Sequence, residues 1–194
     1  MFGGPGNGKK LSIIYRNLAL AASYPEDGVA PVRLAVERLY PYACAISKKF
    51  SSPASAFVEG IASMTDARLQ EHYTDTFDFN DKNTLYLTFH DYRDSKKRGM
   101  ALVELTEISK SAGVAPKERE LPDHLPGLME IAAAYLEKGE VAPLKRLIER
   151  FLDKPLAKVH GALVESKSPY GHLIGFVSEL NNYIINLPTE GTNG

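Results

Sequence analysis

The first residues of the chain have the spacing of a phosphate-binding loop. Residues 3–9 (GGPGNGK) satisfy the G-x-x-x-x-G-K pattern, whose backbone N–H groups and lysine cradle phosphates. That chemistry also needs a strand before the loop and a Ser or Thr after the lysine to hold magnesium. Only two residues precede Gly3, and the residue after Lys9 is Lys10. We therefore interpret residues 1–8 as a flexible leader and keep nucleotide binding only as an alternative.

Metal binding and nucleophilic catalysis have no matching pattern in this sequence. None of the 5 histidines belongs to an H-x-x-x-H pair. Cys44 is the single cysteine, which excludes zinc sites built from two or more cysteines. No G-x-S-x-G nucleophile motif occurs either. We expect a protein that is not an enzyme, with no catalytic residue, no metal ligand and no cofactor.

A segment rich in aromatic and acidic residues is the first candidate for binding chemistry. Residues 73–86 (YTDTFDFNDKNTLY) interleave aromatic side chains with aspartates. Such a mixture suits an apolar groove with an acidic rim, which would accept an amphipathic peptide carrying Arg or Lys. The alternative is that Tyr73 and Phe77 belong to the core and that the aspartates near Phe79 cap the next helix.

The second candidate segment is residues 120–126 (ELPDHLP), which precede a long apolar stripe. Asp123 occupies the position of a helix N-cap, and Pro126 is tolerated in a first turn because its missing N–H needs no partner there. This pattern predicts a helix capped by Asp123, with His124 exposed in its first turn. In a binding site, Asp78 and Asp123 would accept hydrogen bonds from basic residues of a peptide.

Helical spacing of apolar residues dominates the rest of the chain. Leu11, Ile14, Tyr15 and Leu18 form one face of a first helix, and comparable stripes recur as far as Ile184. Pro41 falls inside the second stripe and should kink or divide that helix. Residues 84–90 (TLYLTFH) alternate like a strand. Because we find no second strand for them to pair with, we assign these residues to a helix.

These patterns predict an all-α fold, a single compact bundle of roughly nine helices. We expect a flexible leader at residues 1–8, an all-helical domain at residues 9–187 and a disordered tail at residues 188–194. Lys plus Arg total 23 and Asp plus Glu total 24, so no global field attracts nucleic acid or an anionic membrane. No secretory signal or membrane-spanning run is present. We expect a cytoplasmic protein without a nucleic-acid partner and without direct membrane insertion.

The two candidate segments resemble a known family. Residues 69–105 are similar to the signature region of the nitrate reductase molybdenum cofactor assembly chaperones, also called the nitrate reductase delta subunit. The resemblance lies in residues 73–79 (YTDTFDF), 85–88 (LYLT) and 98–102 (RGMAL). Residues 120–125 (ELPDHL) resemble both this family and the wider group of redox-enzyme maturation chaperones, in which an Asp-His pair precedes a helix.

The resemblance implies a non-catalytic helical chaperone. Its partner would be the catalytic (alpha) subunit of a nitrate reductase, bound through an N-terminal segment that resembles a signal peptide, until the molybdenum cofactor is inserted. A dimethyl sulfoxide or selenate reductase is the alternative client, and a homodimer is a further expectation. The peptide-binding residues carried over from the family are Tyr73, Phe77, Asp78, Phe79, Tyr86, Asp123, His124 and Leu125.

Overall fold

The computed structural model of the protein describes residues 7–115 and 120–187. Within those ranges the chain forms ten α-helices: α1 (Asn7–Ala21), α2 (Val29–Ile46), α3 (Ser51–Ile61), α4 (Asp66–Tyr73), α5 (Leu87–Tyr92), α6 (Lys96–Ala112), α7 (Leu125–Lys138), α8 (Val141–Leu147), α9 (Asp153–Glu165) and α10 (Tyr170–Ile185). A 3-10 turn (Lys48–Phe50) precedes α3, and π-helical segments follow α4 (Thr74–Asp78) and α8 (Ile148–Leu152).

The all-α prediction is confirmed. The described ranges contain no β-strand, and α8 continues through its π-helical segment into α9 without a break. If that run is taken as one helix, the described ranges hold nine helices, the number that the apolar stripes predict. None of these helices is both long and apolar enough to cross a membrane.

The first helix is the centre of the bundle. α1 packs against both α2 and α7, while α10 packs against α3 and α9. The four residues of the predicted α1 face, Leu11, Ile14, Tyr15 and Leu18, are completely buried. The Tyr15 hydroxyl donates a hydrogen bond of 2.6 Å to Oδ1 of Asn181 in α10, so this buried hydroxyl of α1 is paired.

The second helix is not divided at Pro41, contrary to one outcome that the sequence predicts. α2 continues from Val29 to Ile46 with Pro41 inside it. A proline removes one backbone hydrogen bond from a helix, but packing can hold the turns on either side of it in place. Leu39 and Ala43 flank Pro41 and are both completely buried, which keeps the two halves of α2 on the core.

Residues 84–90 are helical only in their second half. α5 begins at Leu87, whereas Tyr86 forms an isolated antiparallel bridge with His124. The Leu87 N–H donates to the Asp123 carbonyl at 3.0 Å, and the Leu125 N–H donates to the Leu85 carbonyl at 2.9 Å. The helical prediction is therefore wrong for residues 84–86. Their strand-like pattern does have a partner, a short segment that lies far along the chain and has no strand pattern of its own.

Two predictions concern chain ends that lie largely outside the described residues. The expected tail at residues 188–194 and residues 1–6 of the expected leader are outside the described ranges. Asn7 and Gly8, the last two residues of that leader, are the first two residues of α1.

Candidate functional site

A cleft of about 470 Å³ brings together most of the residues that the sequence singled out. It is lined by the turn between α1 and α2, the first half of α2, the end of α4 with the π-helical segment after it, and residues 84–86, 120 and 124. Five of the eight predicted binding residues line this cleft: Tyr73, Phe77, Asp78, Tyr86 and His124. The two candidate segments therefore meet at one site, although they are separated in the chain.

The structure does not bring the other three predicted residues into the cleft. Phe79 follows the π-helical segment and is 81% exposed, beside the cleft residues but not among those that line it. Asp123 and Leu125 are completely buried. Both lie behind the cleft, one residue on either side of His124.

The predicted capping role of Asp123 is wrong. α7 begins at Leu125 with His124 in the N-cap position, and no side chain caps that helix end. The Asp123 carboxylate instead accepts hydrogen bonds from Thr88 in the first turn of α5. The prediction that His124 is exposed is also wrong, because only 13% of its side chain is accessible. The local sequence identifies a capping residue but not the helix that it caps.

Aromatic packing fixes the floor of the cleft. The Tyr73 ring meets the Phe77 ring edge to face at 4.9 Å, and Phe77 meets Tyr170 of α10 in the same manner and at the same distance. The Tyr73 hydroxyl donates to the Ala22 carbonyl at 3.2 Å. Tyr73 and Phe77 are buried, as the core interpretation predicts, yet both line the cleft. A π-helical turn, which is frequent at functional sites, carries Phe77 and Asp78.

The turn between α1 and α2 is held in place by α4. The Gln70 side-chain amide donates to the carbonyls of Pro25 and Glu26, each at 3.0 Å. The Asp66 carboxylate accepts from the Val29 N–H at 2.8 Å and so caps α2. Gly28 has a φ of 82°, and a Cβ at this position would collide with the Asp66 side chain. This turn is therefore a fixed wall of the cleft.

Tyr86 and His124 form another wall. Their rings lie 5.0 Å apart between centroids with an angle of 31° between their planes. His124 Nδ1 is 3.2 Å from Glu120 Oε2, within ion-pair distance, although the geometry is not that of a hydrogen bond. The pKa of the Tyr86 hydroxyl is raised, mainly because the group is partly desolvated and secondly because the carboxylate of Glu120 lies nearby. Tyr86 therefore stays neutral and presents a polar hydroxyl on an apolar ring.

The rim of the cleft is acidic and partly apolar. Glu26, Asp27, Asp78 and Glu120 line it, against a single arginine, Arg38. Partial desolvation raises the pKa of the Asp78 carboxyl, and the neighbouring His124 partly counters this shift. Because the acids outnumber the cations, this rim attracts a positively charged ligand.

Exposed apolar side chains from α1, α2 and the turn between them complete the rim, and none of them is among the residues that the sequence predicted. Leu20, Tyr24 and Leu34 all line the cleft and are exposed to solvent. A smaller pocket of about 120 Å³ adjoins the cleft and shares Leu20, Ser23 and Glu120 with it. Exposed apolar surface beside a concave site is typical of an interaction site. The available signal was that Leu20 falls outside the buried stripe of its own helix.

No group of three or more His, Cys, Asp or Glu residues within residues 7–115 and 120–187 is arranged to hold a metal ion. Cys44 is partly buried. The cleft offers apolar contact, carboxylates that accept hydrogen bonds and a tyrosine hydroxyl, and these groups suit the side chains of a peptide.

Comparison with known proteins adds a family to this geometry. The sequence profile of the family described as "Nitrate reductase delta subunit" matches residues 44–170. The matched part contains Tyr73, Tyr86 and His124 of the cleft, whereas Leu20 and Leu34 precede it.

Three relatives show the extent of the similarity. Over 136 residues, 70% of this chain, it is 32% identical to 71% of the "Probable nitrate reductase molybdenum cofactor assembly chaperone NarJ" of Bacillus subtilis. Over 140 residues, 72% of this chain, it is 28% identical to 57% of the "Nitrate reductase molybdenum cofactor assembly chaperone NarJ" of Escherichia coli. Over 105 residues, 54% of this chain, it is 34% identical to 15% of the "Nitrate reductase-like protein NarX" of Mycobacterium tuberculosis. The chain thus matches only part of the last two proteins.

The family profile covers well over half of the chain, and the Bacillus subtilis relative is matched over more than two thirds of both sequences. The resemblance seen at residues 69–105 and 120–125 is therefore confirmed, and this chain belongs to the nitrate reductase delta subunit family.

Proposed function

We propose that this chain is a molybdenum cofactor assembly chaperone for a respiratory nitrate reductase. In this proposal it binds the N-terminal region of the apo catalytic subunit and assists cofactor insertion and complex assembly. The observation that carries the proposal is the cleft of about 470 Å³ with its acidic rim, whose aromatic floor, Tyr73 and Phe77, lies in the part of the chain that matches the family. The role is binding, and it requires no catalytic residue.

The cleft fits one face of a peptide helix. Its volume falls within the range of roughly 300–1,000 Å³ that is usual for small-ligand sites, so it takes a few side chains. Apolar residues at i, i+3 and i+4 of an amphipathic helix would contact Tyr73, Phe77 and the exposed Leu20. A basic residue beside them would lie near Asp78 or Glu120. The client segment is thereby held away from its own domain while the cofactor enters.

Calorimetry tests the proposal directly. A synthetic peptide copying the first ~15–30 residues of the reductase catalytic subunit, a length typical of a targeting segment, is titrated into the full chain. We expect binding with a negative heat-capacity change, because apolar surface is buried. A scrambled peptide of the same composition is the control. Absence of binding by the native peptide would contradict the proposal.

A pair of serine substitutions tests whether the peptide binds in the cleft. Leu20→Ser removes an apolar side chain that is 57% exposed at the cleft, and Val164→Ser removes one that is 58% exposed on α9. Since neither side chain belongs to the core, both variants should fold. We expect Leu20→Ser to weaken peptide binding roughly tenfold, from lost apolar burial of ~1–1.5 kcal/mol. Val164→Ser should leave the affinity unchanged, and equal losses in both variants would place the peptide elsewhere.

The charge of Asp78 should make binding depend on pH. The raised pKa of this carboxyl means that it becomes neutral at a higher pH than an ordinary aspartate. Affinity for a cationic peptide should therefore fall as the pH drops through that raised pKa, and Asp78→Asn should remove this part of the dependence. At neutral pH we expect Asp78→Asn to weaken binding by up to about fivefold, the size of an exposed ion pair.

Two controls separate this effect from unfolding. A raised carboxyl pKa means that the folded protein binds the proton more tightly than the unfolded chain, so acidification at Asp78 stabilises the fold. A lower peptide affinity at low pH can therefore not be explained by unfolding that the protonation of Asp78 causes. Asp81→Asn, an exposed acid that pairs with Arg93 and does not line the cleft, is the matched variant. An identical pH profile in Asp78→Asn and the unchanged protein would exclude Asp78 from recognition.

Two finer points stay predictions. The client is expected to be a nitrate reductase, and competition between its N-terminal peptide and those of dimethyl sulfoxide and selenate reductases decides this point. The expected homodimer is decided by sedimentation of the full chain at several concentrations, with and without the peptide.

A further inference from the structure

Asp123 lies directly behind the cleft and is directed away from it. Its side chain is completely buried. Oδ2 accepts from the Thr88 backbone N–H at 3.2 Å and from the Thr88 hydroxyl at 2.5 Å, and it lies 3.4 Å from Nη2 of Arg98. Among the described residues, Oδ1 has no hydrogen-bond partner. Since every polar contact of this carboxylate points into the protein, Asp123 is not placed to touch a ligand in the cleft.

The backbone around Asp123 explains why its neighbour faces the cleft instead. The two hydrogen bonds between residues 85–87 and 123–125 make both segments locally extended, and successive side chains of extended chain point to opposite sides. Asp123 and Leu125 point inward on one segment, as Leu85 and Leu87 do on the other, and all four are buried. Tyr86 and His124, the residues between them, therefore point outward, and their rings lie 5.0 Å apart in a tilted arrangement.

Arg98 connects this pairing to α6. Its side chain is only 15% exposed, and its Nε donates to the Thr88 hydroxyl at 3.3 Å. Nη1 pairs with Asp94 at 3.1 Å, and the guanidinium lies 5.5 Å from the centre of the Phe89 ring. Arg98 thus contacts Asp123 and α5 at once from the first turn of α6.

We propose that Asp123, Thr88 and Arg98 form a buried positioning cluster, which fixes the Tyr86–His124 wall in the geometry that the client peptide requires, without touching the peptide. The client part of this inference rests on the proposed function. Asp123 supplies the missing cap of α5: its carbonyl and carboxylate accept from the first two N–H groups of that helix, which has no cap from its own residues. A buried carboxylate needs a cationic partner, and Arg98 is that partner.

Two conservative variants test the cluster. Asp123→Asn keeps the size of the side chain and removes its charge, while Thr88→Val keeps the shape and removes the hydroxyl. Each is titrated with the client peptide, and the contact between the Tyr86 and His124 rings is followed by nuclear Overhauser effects in the folded protein. We expect both variants to weaken the ring contact and to lower peptide affinity on the order of tenfold, as supporting residues behind a site do.

Coupling distinguishes positioning from direct contact. In a Tyr86→Leu background the wall is already lost, so adding Asp123→Asn should cost little further affinity. The proposal would be overturned if the affinity losses of Tyr86→Leu and Asp123→Asn were additive and the ring contact in Asp123→Asn were unchanged. That result would mean that Asp123 touches the peptide. Unchanged affinity together with an unchanged ring contact in both variants would also overturn it.

The positioning cluster can still be tested if one variant does not fold or if the peptide does not bind. If Asp123→Asn does not fold, Thr88→Val carries the same two criteria, because it keeps the pair between Asp123 and Arg98. If the unchanged chain does not bind the peptide, the proposed function fails. The ring contact in Thr88→Val and Asp123→Asn then still decides whether the cluster sets the wall.

Discussion

Replacement of Tyr170 by alanine is expected to lower the free energy of unfolding by about 3–5 kcal/mol, the usual cost of removing a large buried aromatic side chain. Tyr170 is completely buried at the start of α10. Its ring contacts those of Phe57, Tyr73 and Phe77 at centroid distances of 5.3, 5.8 and 4.9 Å, and it stacks on His72 at 5.9 Å. Loss of this ring should also loosen the cleft floor, because Tyr73 and Phe77 rest on it.

Tyr170→Phe is the matched control for this prediction. The Tyr170 hydroxyl is buried and has no hydrogen-bond partner among the described residues. Removing an unpaired buried polar group costs little and can stabilise a fold, so we expect a change of less than about 1 kcal/mol in either direction. The free energy of unfolding of both variants is measured by urea titration, monitored by circular dichroism. The slope of this free energy against urea concentration should be unchanged, which shows that unfolding exposes the same surface. Equal destabilisation by both substitutions would show that the hydroxyl matters and the ring does not.

The second large effect is expected at Arg98. Arg98→Met should lower the free energy of unfolding by about 3–5 kcal/mol, because it leaves a buried carboxylate without its cation. Asp123 is completely buried, and the Arg98 guanidinium lies 3.4 Å from its Oδ2. The methionine retains most of the apolar stem, so the loss reports on charge more than on packing. Chemical unfolding at neutral pH measures the change.

Two further variants give this prediction its controls. Arg68→Met removes an arginine paired with Glu71 on the surface, where both side chains are well exposed, and we expect a cost below about 0.5 kcal/mol. Adding Asp123→Asn to Arg98→Met removes the uncompensated charge and should restore part of the stability. The prediction is wrong if Arg98→Met costs no more than Arg68→Met.

The helical elements could be predicted from the sequence because the signals for them are local. A buried helix face repeats within seven residues, so Leu11, Ile14 and Leu18 identify α1 without any knowledge of its partners. The same is true of the aromatic and acidic segment, where Tyr73, Phe77 and Asp78 follow one another along one helix and its π-helical turn. Family membership is local in the same sense, since it rests on short motifs read in order.

Contacts between distant segments could not be predicted in this way. Leu20 stands outside the buried stripe of α1, but no local pattern assigns it or Leu34 to the cleft, because that role depends on how α1 and α2 lie against residues 84–86, Glu120 and His124. Asp66 and Asp123 illustrate the same limit. Each caps a helix that is remote in the chain, so the capping propensity is local while the choice of helix is not.

The segment around Asp123 shows what the sequence and the tertiary structure each decided. By itself, the sequence determined an all-helical family member with aromatic and acidic residues near Tyr73 and an Asp-His pair before α7. The tertiary structure decided that Asp123 points inward and His124 toward the cleft. The physical reason is that residues 85–87 pair with residues 123–125, and this pairing orients alternate side chains to opposite sides. Those partners are more than thirty residues apart, beyond the reach of any periodicity in the sequence.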